Sequence, residues 1–85
     1  MRLNVRALAF SAALIWGILA MLLTGLANLM WPSYGREFLQ MVASVYPGYH
    51  ATRTLGQVVI GTLYGLVDGA GGGAILAWLY NFFAA

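Results

Sequence analysis

The sequence predicts an all-α membrane protein: an antiparallel hairpin of two transmembrane helices with an interfacial amphipathic helix in the connection. Three observations lead there. Of the 85 residues, 62% are apolar and only 7% are charged, against roughly 25% charged in soluble domains. Two of the apolar runs are each long enough to cross a bilayer, and the stretch between them switches to amphipathic periodicity. A soluble chain of this length would bury only about 60% of its unfolded surface, leaving much of that apolar area in water. Residues 1–85 therefore read as a single membrane domain, with spans at about 7–31 and 55–83 and the interfacial helix at about 35–45.

The first run, Ala7 to Trp31, contains no charged residue. As a helix it would reach about 38 Å, more than the roughly 30 Å hydrocarbon core. Asn4 is the expected N-cap, and Trp31-Pro32 closes the run because proline cannot continue the hydrogen-bond ladder. Arg2 and Arg6 ahead of the run, with Gly25-Leu26-Ala27 inside it, share the outline of a cleavable signal. The run exceeds the roughly 7 to 15 residue core of such a signal, so a retained span is expected.

The second run extends from Leu55 to Phe83 and carries one charge, Asp68. Thr54-Leu55-Gly56-Gln57 fits a capping box at its start. Asp68-Gly69-Ala70-Gly71-Gly72-Gly73 would read as a loop in water, each glycine costing about 1 kcal/mol in a helix. In lipid, breaking the chain there exposes amides at several kcal/mol each, so a continuous helix is expected. A phosphate-binding loop is not supported, since no lysine follows the glycines and no strand precedes them.

Between the spans, Phe38, Met41, Val42 and Val45 recur at helical spacing opposite Glu37, Gln40 and Ser44, which predicts an amphipathic surface helix. Tyr46-Pro47-Gly48-Tyr49 then suits a type II turn. Trp31, Tyr34, Tyr46 and Tyr49, with Arg36 and Arg53 nearby, are expected at one membrane interface. Trp78, Tyr80 and the N-terminal arginines mark the other, so both termini share a side. The paired arginines balance, and only the terminal amine and its closeness to the first span favour a cytoplasmic N-terminus. Arg53 is a candidate for a lipid headgroup.

Gly61, Gly65, Gly69, Gly73 and Ala77 form a small-residue stripe on the second span, and Ala9, Ala13 and Gly17, with Gly25 further along, form a shorter one on the first. Such stripes let helix backbones approach closely. An antiparallel register pairs Ala9 with Ala77, Ala13 with Gly73, Gly17 with Gly69 and Gly25 with Gly61. A second possibility is that the long stripe faces another protein; that glycine and alanine are simply frequent in membrane helices accounts less well for five consecutive small positions.

Asp68 is the ionisable group expected near the midplane, where a charged carboxylate costs about 2.5 to 3.5 kcal/mol on insertion scales. The register offers it the Trp16 indole N–H, with Tyr64 one turn earlier as a second donor. Three roles are open: a neutral acid bonded within the hairpin, a contact to a partner subunit, or a proton carrier.

Other chemistry finds little support. The absence of cysteine excludes disulfides, thiolate metal sites and thiol redox chemistry. His50 stands alone without a second ligand at metal-binding spacing. No catalytic constellation, metal site or cofactor is expected, bound lipid apart. A formal charge of +2, spread over four arginines against Asp68 and Glu37, is too dispersed for nucleic acid.

Leu3-Asn4-Val5-Arg6-Ala7-Leu8, Leu14-Ile15-Trp16-Gly17, Val45-Tyr46-Pro47-Gly48-Tyr49, Tyr64-Gly65-Leu66-Val67-Asp68-Gly69 and Ala77-Trp78-Leu79-Tyr80-Asn81 together cover much of the chain. In these segments it resembles a family of small bacterial two-helix inner-membrane proteins of unknown function, some automatically labelled phage holin. The resemblance implies a shared shape and a multi-pass location in the bacterial inner membrane.

The leading functional expectation is a non-catalytic accessory subunit of a larger respiratory or photosynthetic membrane complex, whose partners are integral membrane subunits and lipid; a homo-oligomer satisfies the same facts. The alternatives are a holin-like pore former and a proton-carrying hairpin using Asp68. Two-span holins commonly end in a charged tail, unlike Asn81-Phe82-Phe83-Ala84-Ala85. Rotor-ring subunits of ATP synthase carry their glycine repeat on the first helix, and antenna polypeptides carry a histidine within a span.

Overall fold

The computed structural model describes residues 2–84, and every regular element among them is helical: α1 (Val5–Met30), α2 (Arg36–Ala43) and α3 (Leu55–Ala84). Both α1 and α3 are long and apolar enough to cross a membrane, with mean hydropathies of 2.2 and 1.4. They lie side by side in opposite directions: Leu3 meets Asn81, Gly73 lies against Leu8 and Ala9, and Gly25 lies against Val58. The molecule measures 47 × 20 × 18 Å. Met1, whose terminal amine enters the orientation argument, and Ala85, which closes the C-terminal tail, lie outside the described residues.

Asn4 caps α1, its side chain accepting the Ala7 N–H at 3.0 Å. The middle of this helix, Leu14–Leu22, is wound as a π-helix; the Leu23 N–H, for example, donates to the Ile18 carbonyl five residues back. This widening has a geometric consequence. Four residues of α-helix turn through about 400°, so a four-residue stripe drifts about 40° per step. In the wider π turn, four residues fall short of a full turn and the drift reverses. Ala13, Gly17, Met21 and Gly25 consequently all stay buried. On α3 the same spacing runs through unbroken α-helix, so its stripe of Gly61, Gly65, Gly69, Gly73 and Ala77 winds in the right-handed sense.

The register differs from the expected one by one turn. Gly69 lies over Ala12 and Ala13, Gly73 over Ala9, and Gly65 over Gly17, where a methyl added to Gly65 would sit 2.9 Å from the Gly17 Cα. The expected pairing of Gly17 with Gly69 and Ala13 with Gly73 is thus replaced by Gly17 with Gly65 and Ala13 with Gly69. Met21, only 2% exposed, fills the gap over Gly61 and Gly65, but either register sets glycine opposite it. Tyr49 bears on the shift: its ring takes the space over Gly61 that the expected register gives to Gly25. Elsewhere, large packs onto small: Leu66 covers Gly17 near the middle and Val58 covers Gly25 toward the turn end, so Gly25 does not meet Gly61.

The connection does not lie flat at one end of the pair but folds back along it. Gly35 opens α2 in the left-handed conformation at φ 65°, and a side chain there would also strike Thr24. Leu39 and Val42 are buried, joining Met21, Tyr46 and Tyr49 in a core cluster with Phe38 partly buried beside it. Met41 and Val45, expected on the apolar face, are exposed, because the helix is rotated to present Leu39 inward. Tyr46 and Tyr49, expected among the interfacial aromatics, are 7% and 4% exposed. The Tyr49 ring packs where a Gly61 side chain would otherwise stand. The Pro47-Gly48 turn has the type II form, with Gly48 at φ 84° and the Tyr49 N–H donating to the Tyr46 carbonyl at 3.1 Å.

α3 is continuous through Asp68–Gly73. Its capping box is half formed: Thr54 Oγ1 accepts the Gln57 N–H, but the Gln57 side chain turns to accept the His50 N–H at 2.8 Å. Three side chains tie the chain ends and the connection together. Asn28 donates to the carbonyls of Pro32 and Tyr34. Arg53 donates to the Asn28 and Leu29 carbonyls at 3.0 and 2.7 Å, satisfying last-turn acceptors of α1 at the negative end of its dipole. The Asn81 amide makes a reciprocal pair with the Leu3 backbone at 2.7 and 2.9 Å, bringing the two ends of the pair together.

Candidate functional site

Asp68 follows thirteen residues of α3 and precedes sixteen, so it stands near the middle of the rod. Trp16 is at a matching height on α1, eleven residues after its start. The connection reaches this level because α2 and the turn after it fold back, and Tyr46 inserts between the two helices' polar groups. The Trp16 indole N–H donates to the Tyr46 hydroxyl at 2.6 Å, and that hydroxyl donates to Asp68 Oδ2 at 2.7 Å. An indole can only donate, so Tyr46 receives from Trp16 and its single proton goes to the acid.

This corrects the expected contact. Trp16 does not bond Asp68 directly, because Tyr46 stands between them. Tyr64 does not bond Asp68 either: its hydroxyl donates to the Pro47 carbonyl, and its ring stacks on Tyr46 with centroids 4.8 Å apart and planes 13° apart. Phe38 packs edge-on to Trp16 at 5.8 Å. One stacked ring and two hydrogen bonds therefore fix the position of the Tyr46 hydroxyl. Tyr46 belongs to the connection, outside both long helices. Burial raises its phenol above the ordinary range; the Trp16 N–H opposes this and the Asp68 carboxylate reinforces it. The phenol keeps its proton and acts on Asp68 as a donor.

Asp68 itself is exposed on the outer surface of the helix pair. It separates two open grooves. One, of about 180 Å³, is lined by Trp16, Met41, Val42, Val45 and Tyr46. The other, of about 400 Å³, runs toward the chain ends between α1 and α3 over Gly69, Gly72 and Gly73. The floor of this second groove is nearly side-chain-free: a methyl added to Gly72 would meet no atom within 4 Å. Gly69 and Gly73, by contrast, are covered by α1 backbone.

The remaining site candidates separate by position. Trp31 and Tyr34 are exposed near the turn end of the pair, and Trp78 and Tyr80 near the other. Arg36 is exposed at the start of α2. Arg53 bonds α1 carbonyls through Nε and Nη2 while remaining exposed, and Tyr49 is a core residue. No group of three or more metal-ligating side chains occurs among the described residues. Three residues that matter to the geometry, Asn28, Tyr46 and Asn81, are not singled out for these contacts by sequence reasoning. For the two asparagines the available signal is a lone amide close to the end of an apolar run.

No protein-family model matches the chain, and no curated protein or solved structure matches it.

Proposed function

We propose that the protein is a non-catalytic accessory subunit that packs against the helices of a larger bacterial inner-membrane complex, respiratory or photosynthetic, with both termini on the cytoplasmic side. The observation that carries the reading is the placement of Asp68: half-way along an apolar helix, on the outer surface, with Oδ2 taken by Tyr46 and the rest of the carboxylate facing outward. Intramembrane carboxylates on a helix surface normally face a bundle interior or a wet cavity. A two-helix pair has no such interior of its own, so the neighbours that shelter Asp68 belong to other chains. The fold-back of the connection supports the same role, since it makes the pair a braced wedge with a fixed outer surface.

The holin-like alternative gains less from this geometry, because the small-residue stripe that could serve self-assembly is buried against α1. The proton-carrier alternative retains one favourable observation, the Trp16–Tyr46–Asp68 series of hydrogen bonds. Purification in mild detergent followed by mass spectrometry separates the three. Other membrane subunits in fixed ratio support the accessory role. Self-assembled rings that leak dye support the holin, and proton flux abolished by Asp68→Asn supports the carrier.

A further inference from the structure

We propose that the larger groove beside Asp68 seats one transmembrane helix of a different polypeptide, and that this helix brings a basic side chain, lysine or arginine, to the Asp68 carboxylate. The inference rests on the accessory-subunit reading and specifies its contact face.

The groove has the shape such a helix needs. It is about 400 Å³, open along its length, and bounded by Leu8, Ala12 and Ile15 on α1 and by Asp68, Gly72 and Leu76 on α3. Nothing occupies the space above Gly72, so an incoming backbone can approach closely, as at small-residue contacts in lipid. The Leu8, Ile15 and Leu76 side chains supply apolar walls.

Charge complementarity selects the occupant. Tyr46 bonds only Oδ2 of the carboxylate, and Asp68 lines the groove at mid-helix depth. A second copy of this chain cannot answer it. Arg2 precedes α1, Arg36 and Arg53 lie in the segment between α1 and α3, and Arg6 lies in the first turn of α1, ten residues and about 15 Å of helix rise from the Trp16 level. None can stand at the Asp68 level of a neighbouring copy packed along the groove in either direction. A lipid tail brings no donor to that depth. A cationic side chain on a foreign helix does, and pairing is the common state of ionisable residues inside membranes.

The test uses the full chain in its native membrane. A photoreactive amino acid replaces Leu76 at the groove rim, and cross-linked peptides are sequenced. Separately, Gly72→Leu, Gly71→Leu and Asp68→Asn chains are compared for stoichiometry with co-purifying subunits. Gly71 and Gly72 are both exposed with open space above them, so the two leucines add equal bulk, about 100° apart around the helix. The expected result is a cross-link to a membrane-spanning peptide of another chain containing lysine or arginine. Retention should fall on the order of tenfold for Gly72→Leu and for Asp68→Asn, with Gly71→Leu near wild type. A cross-link to this same chain, to lipid only, or to a helix without a basic residue overturns the proposal, as does equal loss for the two leucine variants. If partners co-purify in fixed ratio but cross-link elsewhere, the groove assignment falls and the accessory role stands. If no subunit co-purifies in fixed ratio, both fall.

Discussion

Replacing Gly69 with alanine places a methyl carbon 2.5 Å from the Ala12 carbonyl oxygen and 2.9 Å from the Ala13 Cα. Both are backbone atoms of α1, so no rotamer change relieves the contact and the two helices must separate. Overpacking of this kind costs about 1 to 3 kcal/mol. Alanine returns about 1 kcal/mol through its better helix propensity, so the net loss is expected at up to about 2 kcal/mol. Gly72→Ala is the matched control, because it carries the same propensity gain while its methyl meets nothing within 4 Å. The difference between the two variants isolates the packing term, expected at about 1 to 3 kcal/mol. Unfolding of the isolated chain by sodium dodecyl sulfate titration in mixed micelles, followed by circular dichroism, measures it. If Gly69→Ala is as stable as Gly72→Ala within about 0.5 kcal/mol, the close approach of α1 and α3 at this position is refuted.

Tyr46→Phe removes the acceptor of the Trp16 N–H and the donor to Asp68 together. A loss of about 1 to 3 kcal/mol is expected, and a shift in tryptophan emission that is absent in Tyr80→Phe checks that the loss is local. Tyr49→Ala empties the space over Gly61 beside Met21, and by analogy with other buried aromatics it should cost about 3 to 5 kcal/mol in the same titration. Arg53→Ala uncovers the Asn28 and Leu29 carbonyls; about 1 kcal/mol of destabilisation is expected, with Arg53→Lys recovering only part of it because one ammonium cannot reproduce the guanidinium fork. Asn81→Leu should speed hydrogen exchange at the Leu3 amide, whose acceptor is lost, while leaving the middle of α3 protected.

The two long apolar helices were legible because hydropathy and length are local properties, and the Pro47-Gly48 turn because its backbone conformation depends on its own residues. Asp68 stood out for the same reason, as the one charge in an otherwise apolar run. The register was less accessible. A stripe of small residues every four positions looks the same after sliding by one turn, so it fixes which faces meet but not their offset. Met21 does not break the self-similarity, since glycine stands opposite it at either offset; the Tyr49 ring, which takes the space over Gly61, comes from the connection. The fold-back of the connection was hidden for another reason. Tyr46, near the end of a polar segment, has the signature of an interfacial aromatic, and its contacts with Trp16 and Asp68 lie 30 and 22 residues away. The same composition serves either position, and Leu39 and Val42 decide between them only once α2 is docked. The π-wound stretch of α1 leaves no mark in residue type, since leucine, isoleucine and alanine suit either winding.

Both the sheltering of Asp68 and the seating of a partner helix require α3 to cross the bilayer as one rod with Asp68 at mid-depth. The chain has no cysteine of its own, so single cysteines placed at residues 54, 66–74 and 82 can be probed in intact membranes with a membrane-impermeant maleimide. Protection throughout 66–74, with labelling at 54 from one face and at 82 from the opposite face, is the expected result. Labelling of consecutive positions within 66–74 from a single face would contradict it, placing Asp68 and the glycines beside it in a water-accessible loop.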